Sequence, residues 1–192
     1  MHPAPAFRTT DRKTLLARFR DDPFCTVVAV GASGPVLTHT PVIVDDSGAL
    51  RFHVAAANRV APALAESGRA LVSTLGAHTY INPAWYEAPD QVGTWNYVSA
   101  EAEGALARLS EAETRAFLHD LAATFDGPQP WTEAQVAPDK MARMLSAIRA
   151  YRLVPDRLEG TTKLSQNKPG EIRARVVEAL GDDPVAALMR PN

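Results

Sequence analysis

The densest run of residues able to do chemistry lies between Thr79 and Tyr97, TYINPAWYEAPDQVGTWNY. It holds Tyr80, Trp85, Tyr86, Trp95 and Tyr97, five of the thirteen aromatics in the chain. Rings mixed with Asn82, Asn96 and the turn residues Pro83, Pro89 and Gly93 suit a surface that holds a planar or polar ligand or a partner subunit. An aromatic minicore under a long loop would use the same residues. A second group is His39 and His53, each within a β-like run, where an imidazole can donate to phosphate or to a ring oxygen, or simply to backbone. No H-E-x-x-H, H-x-H or Cys-His spacing is present, so no metal site is expected. A third is GTTKLSQNK, from Gly160 to Lys168, which gathers two lysines, three hydroxyls and two amides. Such a donor-rich strand end suits phosphate or carboxylate, or a solvated turn. A hydrolase triad has no G-x-S-x-G element to support it. Cys25, in the apolar run FCTVVAV, reads as a buried small hydrophobe with no cation beside it to stabilise a thiolate.

The elements that must position these residues follow from periodicity and punctuation. TTDRKTLLARFRDD places Leu15, Leu16 and Phe19 on one helical face behind a capping Thr9, Thr10 or Asp11. Three β-like runs follow, Phe24 to Val30, Val36 to Val44 and Leu50 to Ala55, separated by Gly- and Asp-rich turns, which reads as an antiparallel meander. Asn58 stands at a cap position before RVAPALAESG, with Gly68 as terminator. Arg69 to Leu75 returns to strand, and Trp95 to Leu109 alternates as a long one, with Gly104 marking a bulge or bend. Ser110 and Glu113 form a capping box opening a helix to about Phe125, and Pro138 begins another. Strand character resumes from Ile148 to Leu158, crosses Gly160 and continues from Thr162 to Ser165, before EIRARVVEAL and PVAALM as helical segments.

At 192 residues the chain is expected to form one domain over 1–192, with a helical insertion at about 110–147 and a helical tail at about 169–190. Twenty basic against 22 acidic residues leave a formal charge of -2, which gives no footprint for nucleic acid. No signal peptide or membrane span is visible, so the expected compartment is the cytoplasm. Clustered strands with local turns predict an antiparallel sheet or barrel with helices outside. A doubly wound nucleotide fold is disfavoured, since helices do not alternate with strands and no glycine-rich phosphate loop is present.

Four pieces together resemble one family: THTP (Thr38 to Pro41), FHVAAAN (Phe52 to Asn58), YINPAWY with TWNY, and KLSQN (Lys163 to Asn167). They are similar to the FMN-binding negative transcriptional regulators, the PaiB-like family, over nearly the full length. The resemblance implies an α+β, mainly β fold: an FMN-binding split β-barrel with peripheral helices, homodimeric, with flavin in clefts at the subunit interface. It implies flavin contacts from His39 and Thr40, from His53 with Asn58 and Arg59, from Trp95 and Asn96, and from Lys163, Ser165 and Gln166. Tyr80, Trp85 and Tyr86 become dimer contacts or cleft rim. The turn before the Asn58 helix also suits a phosphate on physical grounds, through its backbone amides and Arg59.

The chain departs from the family's pattern at Ala56, at Gly93 where a proline precedes Thr-Trp-Asn, at Gly160-Thr161-Thr162-Lys163, and in the loop Glu87 to Asp90, which lacks a lysine. Those changes remove positive charge and one ring from the expected site. The leading expectation is a small flavin-dependent oxidoreductase or regulatory protein with FMN as cofactor. The alternatives are a divergent member that has lost flavin and acts on a small planar substrate without cofactor or with haem, and a negative transcriptional regulator acting indirectly.

Overall fold

The computed structural model describes residues 2–190. Seven strands dominate: β1 (Arg8–Thr9), β2 (Phe24–Gly31), β3 (Gly34–Val44), β4 (Leu50–Ala55), β5 (Arg69–Ile81), β6 (Thr94–Arg108) and β7 (Ile148–Lys163). They follow the order β1-β7-β4-β3-β2-β5-β6, and a further pairing of β7 with β6 closes that order on itself. Six α-helices accompany them: α1 (Arg12–Asp21), α2 (Val60–Ser67), α3 (Glu111–Phe125), α4 (Pro138–Ser146), α5 (Gly170–Leu180) and α6 (Pro184–Met189). This is a split-barrel fold, mainly β with peripheral helices. No helix among the described residues is long and apolar enough to cross a membrane.

Most boundaries sit where local chemistry puts them. Asp11 caps α1 by accepting from the Thr14 N–H, and Ser110 with Glu113 makes the capping box of α3. Gly68 ends α2 in the left-handed region at φ 59°, where a side chain is strained. Three details differ from the sequence expectation. β1, where no strand is expected from the sequence, forms by pairing Arg8 with Thr161 and Thr9 with Gly160, a long-range partner that no local pattern reveals. β5 runs on to Ile81 and so takes in the start of the aromatic stretch. β7 crosses Gly160 as expected and runs as one continuous strand to Lys163. Arg59, not Asn58, occupies the N-cap position of α2, although Asn58 Oδ1 still accepts from the Val60 N–H.

The chain divides into two compact units, with β5, β6 and β7 passing through both. The first comprises Met1–Asp22, Ser73–Glu101 and Leu158–Asn192. Its core packs Ile81, Tyr86, Leu164, Val176, Val185 and Met189 together, with Trp85, Val98 and Ile172 against them. Arg18 ties this unit internally, donating to the carbonyls of Ser99 at 2.6 Å and Thr161 at 2.9 Å and to Thr162 Oγ1.

The second unit comprises Pro23–Val72 and Ala102–Arg157. Cys25, Val27 and Ala29 of β2, Val42 of β3 and Leu50, Phe52 and Val54 of β4 point inward, with Leu64 of α2 also buried. The other face of β4 carries Arg51 and His53 against Phe117 of α3, with the guanidinium carbon 5.8 Å and the imidazole centroid 5.8 Å from the ring.

The turn between β3 and β4 is stabilised by Asp45. Burial pushes its carboxyl up, but hydrogen bonds from Ser47, Arg152 and the Ala49 N–H and the charge of Arg152 outweigh that and hold it at about 2. A carboxylate depressed on folding stabilises the protein above its unfolded pKa, and that contribution fades as pH falls from about 4 through about 2. Asp45→Asn should therefore cost about 2 kcal/mol at pH 7. In urea melts the gap between variant and parent should close as the pH approaches 2; a gap that persists unchanged there would show the loss is not electrostatic.

Candidate functional site

The ten residues expected at a ligand fall into two groups of five, one in each unit. In the second unit, His39 stands exposed on β3 and stacks on Phe24 with ring centroids 6.1 Å apart. Thr40, one position on, points inward and donates to the His53 carbonyl at 2.7 Å, as strand alternation requires. Asn58 donates from Nδ2 to Thr38 Oγ1 at 3.0 Å while capping Val60. Thr40 and Asn58 thus hold β3, β4 and the start of α2 in register. Arg59 is exposed.

The start of α2 is poorer in donors than the sequence suggests. The Val60 N–H is held by Asn58 Oδ1, the Ala61 N–H by the Asn58 carbonyl, and Pro62 has none. The first helical amides are thus taken, and the exposed Arg59 guanidinium is the cation beside them.

In the first unit the corrections are larger. Asn96, expected beside a ligand ring, has 0% exposure and exchanges hydrogen bonds with Ser165 Oγ, at 2.9 Å from Nδ2 and 3.2 Å to Oδ1. Its amide also reaches Met189 Sδ at 3.4 Å. Ser165 sits at φ 56°, a conformation uncommon for a residue with a side chain, and it is buried as well. Lys163 donates to Thr94 Oγ1 and to the Trp95 carbonyl at 2.8 Å, and partial burial pulls its ammonium below the usual lysine range. Gln166 donates to the carbonyls of Ala6 and Thr162 and accepts from the Leu164 N–H. The segment expected to offer donors to an anion is folded instead as an internally bonded strand end.

Trp95 is the open residue of this group, 53% exposed, with His78 and Tyr80 each 6.1 Å away between ring centroids. Tyr86, assigned from sequence to a rim or subunit contact, is 1% exposed at the centre of the core, and Trp85 packs beside it. Gly93 explains one departure from the expected pattern. A Cβ there would fall 1.8 Å from Tyr80 Oη, so glycine makes the room in which the tyrosine lies against Trp95. Gly93→Ala should displace Tyr80 while costing under about 1 kcal/mol, because the obstructing atom ends an exposed side chain. The tryptophan emission spectrum would report the shift; a spectrum identical to the parent's would count against it.

A feature the sequence reading passed over lies under the helical insertion. Between β4, α3 and α4 is a cavity of about 300 Å³, lined by His53, Leu118, Leu121, Phe125, Trp131 and Met144 among others. The spacing of Met141, Met144 and Leu145 along α4 was the available signal, since it marks an apolar helix face without saying what covers it. Among the described residues no group of three or more His, Cys, Asp or Glu is placed to hold a metal ion.

Residues 1–157 match the family model described as "Putative FMN-binding domain". The chain belongs to this family. A structure of an FAD- and haem-binding protein from Mycobacterium smegmatis superposes with a TM-score of 0.65 at 20% identity, covering 91% of this chain and 80% of that one. A flavocytochrome from Azotobacter vinelandii gives 0.65 at 19% identity, covering 91% and 78%. At such identities the likeness establishes the split-barrel fold. No curated protein matches the chain in sequence.

Proposed function

We propose that this member of the FMN-binding domain family binds a flavin and works as a small flavin-dependent oxidoreductase of the PaiB-like type, as a homodimer with the ligand at the subunit interface. The observation that carries this reading is the open ring surface of Trp95, Tyr80 and His78 in a chain that matches the FMN-binding domain model. Each unit by itself offers groups that suit a flavin in kind. In the first, Trp95 offers a face for an isoalloxazine; in the second, His39 offers an exposed imidazole donor and Arg59 a guanidinium for a phosphate. When bound, the flavin supplies electron and hydride transfer, while the protein orients the ring and excludes water. With a formal charge of -2, any regulatory role runs through this ligand rather than through DNA contact.

Titration of purified protein with FMN, FAD and riboflavin, followed by quenching of flavin fluorescence, is the test. Saturable quenching in the micromolar range supports the reading, with Trp95→Ala weakening it; no quenching by any of the three at high micromolar concentration overturns it.

The dimer rests on the outer face of β2 and β3. Register pairs Phe24 with Pro41, Thr26 with His39, Val28 with Leu37 and Val30 with Pro35, and on that face Phe24, Val30 and Leu37 are 69, 64 and 49% exposed. Large apolar side chains clustered on a regular strand surface suit a self-complementary contact with a second copy. The double variant Phe24→Glu, Leu37→Glu should elute and scatter as a monomer while melting cooperatively. A parent that is already monomeric, or a variant that stays dimeric, removes this face from consideration.

A further inference from the structure

The cavity beneath α3 and α4 is separate in character from the open residues assigned to flavin. Its walls are Leu118, Leu121 and Phe125 of α3, Trp131 of the following loop and Met144 of α4, with His53 of β4 as a polar group facing them. Phe125 and Met144 stand 46 and 48% exposed at its mouth, where large apolar side chains are ordinarily covered. The loop that carries Trp131 is held in place: the Trp131 N–H donates to Asp126 Oδ2 at 2.9 Å, the indole stacks on His119 at 5.7 Å, and Glu133 pairs with Arg115 of α3. An apolar space of this size with a convergent polar group is the usual form of a small-molecule site.

His53 defines the chemistry. Its Nδ1 is buried with no hydrogen-bond partner. A buried N–H without an acceptor is costlier than an unshared lone pair, so the neutral ring keeps its proton on Nε2. Burial also pushes the imidazolium to lower pH, favouring that neutral form. The ring therefore has one N–H to give to whatever fills the space. A cavity of about 150 Å³ holds benzene, so one of about 300 Å³ has room for about two fused rings.

We propose that this cavity binds a neutral bicyclic aromatic molecule bearing a carbonyl oxygen, which accepts the His53 Nε2–H while its rings lie among Phe125, Trp131 and the α4 methionines. Sulfur and aromatic walls favour a flat, polarisable ligand over a branched aliphatic one of equal volume. Asp126 also lines the space, with Oδ2 accepting from the Trp131 N–H, and its carboxylate disfavours an anion; the demand for one acceptor within mainly apolar walls distinguishes this class from sugars, nucleotides and fatty acids.

Isothermal titration of the full-length protein with coumarin, and with 2H-chromene as the same bicycle lacking the carbonyl, tests this. Coumarin should bind saturably at one per chain, and chromene about three- to tenfold more weakly, the worth of one hydrogen bond. His53→Phe keeps the ring volume and should bind the two compounds equally. Met144→Trp, at the exposed mouth, should weaken both. Saturating FMN should leave coumarin affinity unchanged, so this proposal and the flavin reading fail independently. No saturable heat from coumarin, a carbonyl preference that survives in His53→Phe, displacement of coumarin by FMN, or a Soret band on haem addition that His53→Phe abolishes would each overturn it.

Discussion

Replacing Arg59 by alanine is expected to weaken FMN binding by about ten- to a hundredfold while leaving riboflavin, which lacks the phosphate, almost unaffected. The magnitude is that of one charge-assisted hydrogen bond of about 1.5–3 kcal/mol. It falls mainly on this side chain because the first helical amides are taken: Val60 and Ala61 are capped by Asn58, and Pro62 lacks an N–H. Arg59→Lys should recover only part of the loss, since an ammonium cannot make the bidentate contact of a guanidinium. Equal weakening of FMN and riboflavin would mean that Arg59 shapes the protein rather than meeting a phosphate. No change in either would put the phosphate elsewhere.

Tyr86→Ala is expected to lower stability by about 3–5 kcal/mol, the usual cost of emptying a large buried aromatic position. Tyr86 is among the largest fully buried side chains and packs with Ile81, Leu164, Val176, Val185 and Met189, which brings α5 and α6 onto this core. Its backbone carbonyl also accepts from Arg175 at 3.0 Å, and Lys168 Nζ lies 5.0 Å over its ring. Tyr86→Phe keeps the ring and should cost far less. Urea denaturation gives the loss, and light scattering separates it from an interface effect. A Tyr86→Ala protein that denatures like the parent but loses its oligomeric state would return Tyr86 to the subunit contact that the sequence suggested.

The aromatic stretch shows how far local reading reaches. Its density of rings was visible at once, and Trp95 stands exposed with Tyr80 beside it. Tyr86 has the same composition around it, yet it is sealed in the core, and nothing in the stretch itself distinguishes the two. Amphipathic rings serve a wet surface and a buried core equally well, so the choice depends on what packs against them. For Tyr86 that is α5 and α6, nearly ninety residues further along the chain.

The meander and most helix boundaries were legible in the chain alone, because they rest on interactions spanning a few residues, whereas the split barrel was implied by the family resemblance and is closed by long-range strand pairings. Asp11 with Thr14, Ser110 with Glu113, and Gly68 are capping devices that act within one turn. Which polar groups remain available to a ligand depends instead on contacts between distant parts of the chain. Asn96 and Ser165 consume each other's hydrogen-bonding capacity across 69 residues, and Lys163 reaches back 68 to the Trp95 carbonyl. The cavity at His53 likewise exists only because α3 and α4 close over the outer face of β4. A donor's identity is written in the chain, but its freedom depends on distant partners, and burial leaves no polar group indifferent to whether it has one.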